Sequence, residues 1–258
     1  MTEEGGGREN LNRILDSLKG YIFENSSIGV GNERKSPRMS ILLSGPPGSG
    51  KTEFVKYIGH VLKKHVITKM GSDILSKWVG GTEENIRDAF KSAETEQSIL
   101  FFDEIDGILQ TRERSRAFWE VSQVNEMLYQ MEKFNGILVA ATNFVKSLDS
   151  AVMRRFTFKV EFDFLDNDGK VSFFKRFFNR ALTDEQLKRL KSIKNLAPGD
   201  YKTVSNELYY YEFKDDENPC DIIIDSLEHE SKAKEWSSFA SKSKIGFKST
   251  ANCFDEHK

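Results

Sequence analysis

Four short apolar runs punctuate the chain: Ser40–Leu43, His65–Thr68, Ile99–Phe102 and Ile137–Ala141. Each is bounded by turn-forming or charged residues, and each is expected to be a strand buried on both faces. Between them, Thr52–Lys63, Glu83–Glu94 and Phe118–Glu132 space their apolar residues as helices do. Strands that alternate with helices imply a parallel sheet with right-handed crossovers, and a fifth strand is expected at Thr157–Phe162. Ahead of the sheet, Leu11, Ile14, Leu15, Leu18 and Ile22 form the apolar stripe of an amphipathic helix over 8–24, followed by a polar loop. Past Asp166 no further run of this kind occurs. Gly169–Arg180, Asp184–Lys194, Gly199–Tyr211 and Cys220–Lys232 read as helices, and Phe173, Phe174, Phe177 and Phe178 fall at the spacing of a helical core face.

The expected organisation is an N-terminal helix and linker over 1–37, an α/β core over 38–165, a small helical domain over 166–233, and a loosely ordered Ser- and Lys-rich tail over 234–258.

Composition narrows the classes of function. The 258 residues suffice for a sizeable core, and the formal net charge of −2 supplies no global field for nucleic acid or anionic lipid. The apolar runs are far too short to span a bilayer, so no membrane partner is expected. The acidic, Gly-rich start has no apolar segment of the kind a secretory signal needs. Cys220 and Cys253 form neither a disulfide framework nor a zinc spacing, and a reducing, cytoplasmic setting is expected. His60, His65, His229 and His257 show no metal-ligand spacing.

Chemistry concentrates at the ends of the predicted strands. Gly45-Pro46-Pro47-Gly48-Ser49-Gly50-Lys51-Thr52 fits the phosphate-loop pattern, and it lies between a strand and a helix, the context such a loop requires. Its glycines let backbone N–H groups wrap phosphates, and the helix N-terminus adds partial positive charge. Lys51 is expected to reach the β- and γ-phosphates and Thr52 to ligate magnesium. Ile99-Leu100-Phe101-Phe102-Asp103-Glu104 brings two carboxylates to the same edge of the sheet. Asp103 is expected to hold the metal and Glu104 to act as general base toward water. Asn143 ends another apolar strand, where it could position the water or contact the γ-phosphate.

GPPGSGKT, FFDEID, AATN and the LDxAxxRRF stretch at 148–156 resemble, in order and rough spacing, the AAA family of ATPases. The last stretch is similar to katanin and spastin relatives. Trp119-Glu120-Val121-Ser122-Gln123-Val124-Asn125-Glu126 looks closer to a set of bacterial AAA proteins, as do Pro198-Gly199-Asp200 and Ile245-Gly246-Phe247. The resemblance covers residues 38–210 well. It implies a five-stranded P-loop α/β fold with a C-terminal helical lid, ATP and Mg2+ as ligands, and Asn143 as sensor 1. It also implies that Arg154 and Arg155 are arginine fingers directed at a neighbour's nucleotide, and hence a homo-oligomeric ring, usually a hexamer.

Lys77-Trp78-Val79-Gly80 resembles the family's pore loop, in which Trp78 and Val79 would grip a polypeptide. Gly81 departs from the Glu usual there. Pro198-Gly199-Asp200 replaces the family's Gly-Ala-Asp turn, where Gly199 could let the backbone approach the base, and no sensor-2 arginine is evident.

The function expected is therefore Mg-dependent ATP hydrolysis by an oligomer, coupled to remodelling or unfolding of a protein substrate. The alternative is a nucleotide-dependent switch or assembly module without threading. A nucleic-acid motor is disfavoured by the near-neutral charge. Residues 1–37 are shorter than the adaptor modules of katanin-like relatives, so the substrate or adaptor protein is not readable. The charged stretch Arg112, Glu113, Arg114 and Arg116 reads as a solvated loop in preference to a second pore-facing segment.

Overall fold

In a computed structural model the described residues are 13–21, 38–76, 78, 80–109, 118–145, 148–214 and 217–240, with the backbone alone described at 107, 118–120 and 235–240. They form two compact units, 1–163 and 164–258.

The first unit is built on a parallel sheet of β1 (Met39–Ser44), β2 (Val66–Met70), β3 (Ile99–Asp103), β4 (Ile137–Thr142) and β5 (Phe158–Glu161), in the order β2-β3-β4-β1-β5. Alternation along the central strands fills both faces. Ile41, Leu43, Ile99, Phe101, Val139 and Ala141 join one cluster with Ile14 and Leu18 of helix α1 (13–21) and Val55 and Ile58 of α2 (Lys51–Leu62). Leu42, Leu100, Phe102, Leu138 and Ala140 point the other way. There they meet Ile86, Ala89 and Phe90 of α4 (Gly81–Thr95) and Val124, Met127 and Met131 of α5 (Phe118–Lys133). Each of the Val, Leu, Ile, Met and Phe side chains among them contributes about 1.5–3 kcal/mol relative to exposure.

Two short helices, α3 (Gly71–Ile74) and α6 (Ser150–Met153), and a 3-10 turn at Ile105–Gly107 complete this unit. At four residues or fewer they carry too little periodicity to be read from sequence.

One expectation fails at β2. The run at His65–Thr68 was expected to be buried on both faces, yet β2 alternates half-buried and exposed positions, and Met70 is 44% exposed. The cause is topological: β2 pairs only with β3 and is an edge of the sheet. β5 forms the other edge, with the same half-exposed pattern.

The second unit is helical: α7 (Asn167–Phe178), α8 (Asp184–Ser192), α9 (Pro198–Glu207) and α10 (Pro219–Ala240). Its core gathers Phe174, Leu190, Leu196, Tyr201, Val204, Ile223, Ile224 and Leu227, with Phe173, Phe177 and Phe178 packed against it. Local sequence sets the boundaries. Asp166 caps α7 by accepting Gly169 N–H at 2.7 Å. Thr183 and Gln186 form a reciprocal capping box on α8, and Pro198 begins α9 where its missing N–H costs nothing. Helix α10 runs to Ala240, beyond the end expected at Lys232 and into the stretch expected to be loosely ordered. Residues 241–258 lie outside the described residues.

Candidate nucleotide-binding site

All five strands run in one direction, so the turns that follow β1, β3 and β4 share one edge of the sheet, where ligands bind in open α/β folds. The turn after β1 is the loop 45–50. Gly45, Gly48 and Gly50 adopt φ of 140°, 75° and 101°, and Gly50 is the N-cap of α2. Positive φ favours glycine, and a loop with three such residues can curl its main-chain N–H groups around an anion.

Lys51, the first residue of α2, is 7% exposed. Its ammonium donates to the carbonyls of Gly45 (2.8 Å) and Pro46 (2.9 Å) and to Asn143 Oδ1 (2.8 Å). Three donors meet three acceptors, so the charge is held without a counter-ion in direct contact. Burial pushes the Lys51 pKa down, and the nearby charges of Asp103, Asp106 and Glu104 act against that shift. Keeping Lys51 charged at neutral pH is therefore a standing cost, which added phosphate charge would relieve.

Thr52 donates its hydroxyl to Asp103 Oδ2 at 2.8 Å, across the width of a strand, because β4 lies between β1 and β3. A hydroxyl and a carboxylate at that separation are hard oxygen donors suited to magnesium, which keeps several waters and takes few protein ligands. A second feature fits a phosphate-bearing ligand. The Ser49 hydroxyl is buried and makes no hydrogen bond among the described residues, a state that costs about 1–3 kcal/mol.

Glu104 follows Asp103 in a left-handed conformation with φ 54°, and its N–H donates to Asp103 Oδ1 at 3.0 Å. That bond leaves the Asp103 carboxylate held on both sides. Glu104 itself is exposed and open to water. Asn143 stands directly after β4 and is brought onto Lys51. The structure thus gathers Lys51, Thr52, Asp103, Glu104 and Asn143 at one edge.

Arg154 and Arg155 follow α6. The motif around them divides by burial: Leu148, Val152 and Phe156 lie in the core at 5% or less exposure, while both arginines are exposed. Asp149 caps α6 through Ala151 N–H at 2.8 Å, and the Arg155 carbonyl accepts Ser40 Oγ at 2.8 Å. The arginines therefore stand on a firmly anchored corner. The Arg155 guanidinium pairs with Glu132 at the end of α5.

Trp78 is 82% exposed, which excludes a role as a core anchor; Lys77 and Val79 lie outside the described residues. The unusual Gly81 has a physical reason, since a Cβ there would stand 2.4 Å from Ser76 Oγ and 2.8 Å from Ser76 Cβ. Residues 112–116 also lie outside the described set.

In the second unit, Gly199 falls in the first turn of α9. The neighbouring Asp200 is 5% exposed, accepting Ala197 N–H at 2.7 Å and pairing with Lys234. Its part is structural. Asp106 and Thr142 lie inside the FFDEID and AATN stretches but, like Glu132, were assigned no role there; their partners in space mark them.

A protein-family model described as "ATPase family associated with various cellular activities (AAA)" matches residues 41–164. The chain is 35% identical over 215 residues to the ATPase family gene 2 protein of Saccharomyces cerevisiae, covering 77% of this chain and 27% of that protein. It is 33% identical to the spastin homolog of Caenorhabditis elegans, over 67% of this chain and 33% of the relative. The proteasome-activating nucleotidase of Methanoregula boonei is 27% identical, over 77% of this chain and 47% of the relative. The chain thus spans between about a quarter and a half of the length of these relatives. Among the described residues no helix is long and apolar enough to cross a membrane. With a phosphate loop, paired carboxylates and strand-end Asn at one sheet edge, and sequence kinship from Ile41 of β1 through the end of β5, the chain belongs to the AAA family of ATPases.

Proposed function

We propose that the chain binds ATP with Mg2+ and hydrolyses it as part of a homo-oligomeric ring, using the energy to remodel or unfold a protein substrate. The observation that carries this reading is the convergence of Lys51, Thr52, Asp103, Glu104 and Asn143 within hydrogen-bonding reach of one another or on adjoining residues. A scaffold that only bound nucleotide would have no need of Glu104, a carboxylate exposed beside the metal-binding pair.

Lys51 exchanges its carbonyl partners for phosphate oxygens and neutralises charge that grows on them. Thr52 and Asp103 would hold the metal, which would supply positive charge against the phosphates as negative charge builds on them. Glu104 accepts a proton from the attacking water, and Asn143 keeps that water in line. Arg154 and Arg155 of one subunit reach the γ-phosphate held by the next, a contribution of about 10³–10⁵ in rate where an arginine is supplied in trans. Trp78, exposed and aromatic, suits contact with varied side chains of a threaded polypeptide.

Replacing Glu104 by Gln removes the base while keeping the shape of the site. ATP binding should persist and steady-state hydrolysis should fall by at least 10²-fold, an order-of-magnitude figure for loss of a general base. Electron microscopy of the same variant with ATP should show closed rings with density in the pore. Undiminished hydrolysis would remove Glu104 as the base, and single subunits with ATP would remove the ring.

A further inference from the structure

Asp106, three residues beyond Asp103, lies in the 3-10 turn that follows β3 and is half-buried. Its carboxylate accepts the hydroxyl proton of Thr142. Thr142 is the last residue of β4 and is 1% exposed. A threonine hydroxyl has a single proton, and here it is committed to Asp106, which as a carboxylate can only accept. The lone pairs of the same oxygen are thereby turned the other way, where they accept the N–H of Phe144 at 2.9 Å. One oxygen atom thus ties Asp106 on one side to the main chain just past Asn143 on the other.

Asn143 needs such a tie. The β3–β4 register ends at Phe102 and Ala140, and the β1–β4 register ends at Ser44 and Thr142. Among the described residues no ladder extends to residue 143, yet its carboxamide oxygen meets Lys51 Nζ at 2.8 Å.

We propose that Asp106 is a positioning residue for hydrolysis: through Thr142 it holds the Asn143 carboxamide in register with Lys51, and so with the attacking water and the γ-phosphate. The inference rests on the reading of Asn143 as a participant in hydrolysis. Asp106 touches no reacting atom in this arrangement. Its effect reaches the chemistry through the direction of one hydroxyl, and the turn after β3 and the end of β4 are thereby coupled.

The test uses the full chain with Mg-ATP, and circular dichroism confirms folding of each variant. Thr142→Val removes the hydroxyl at nearly constant volume, Thr142→Ser restores it, and Asp106→Ala removes the acceptor. Asp106→Asn keeps an acceptor oxygen without the charge. Thr142→Val and Asp106→Ala should each lower kcat about 10- to 100-fold, as expected for displacement of a catalytic group by around an ångström, with KM for ATP changed by no more than a few-fold. Thr142→Ser and Asp106→Asn should each recover most of the kcat.

In an Asn143→Ala background the Thr142→Val and Asp106→Ala losses should nearly vanish, because both act through the residue already removed. Wild-type kcat in Thr142→Val and Asp106→Ala, beside an impaired Asn143→Ala, overturns this inference alone. Losses that multiply undiminished in the Asn143→Ala background overturn it as well, since they place Asp106 on a separate path. Wild-type kcat in Asn143→Ala overturns both this inference and the reading of Asn143 beneath it.

Discussion

Glu104 has a φ of 54°, a left-handed conformation that a residue with a side chain adopts only when its surroundings insist. The surroundings are backbone. Its carbonyl lies against Gly71 at the start of α3, where a Cβ would come within 2.7 Å of that oxygen. A flexible side chain could yield, but a carbonyl in a left-handed turn can move only by moving Glu104. Gly71→Ala is therefore expected to lower kcat by about 10–100-fold through misplacement of the base, leaving nucleotide affinity nearly unchanged. Steady-state kinetics beside equilibrium binding of a fluorescent nucleotide separates the two. An unaltered kcat would show that Glu104 absorbs the added methyl without losing its aim.

Among elements, legibility followed burial and length. β3 and β4 were readable because their apolar runs are filled from both faces, whereas β2 had a similar run of β-formers but an edge position that no local pattern reports. The phosphate loop and the paired carboxylates were readable because each is a contiguous string whose chemistry depends on its spacing. Asp106, Thr142, Gly71 and Glu132 were not, since each gains its part from a residue 23 to 36 positions away.

Helix α9 illustrates a further layer. Tyr201 is buried in the second unit's core and donates its hydroxyl to the Lys170 carbonyl at 3.0 Å. Burial pushes its pKa well above the ordinary value of 10.0, with a smaller contribution from the charge of Asp200. The unfolded chain then loses the tyrosine proton at a lower pH than the folded one. The stability this group contributes is whole below pH 10 and declines as pH rises toward the folded value, by up to about 1.4 kcal/mol per pH unit. Denaturant titrations of the full chain between pH 9 and pH 11.5 should show that decline in the second unit. Tyr201→Phe should lose about 0.5–1.5 kcal/mol at neutral pH, from the lost hydrogen bond to a carbonyl that keeps its partner within α7, and should flatten the alkaline slope. An unchanged slope in the variant would assign it to other groups.

For the whole molecule, the proposed completion of each site by a neighbour's arginines would make activity a property of concentration. Specific ATPase activity should rise with total protein and level off where sedimentation reports closed rings. Activity that stays constant down to a monomeric mass would exclude fingers acting in trans. The pairing of Arg155 with Glu132 bears on how such a ring is made. Side-chain exposures of 36% and 45% put the pair at the surface, where such contacts are worth about 0–1 kcal/mol. If Arg155 is a finger, a pair this weak would let it leave its partner almost without resistance. In that reading Glu132 would serve as a holster. In the proposed ring, recruitment of the guanidinium by the adjoining subunit's nucleotide would need only a small exchange of partners.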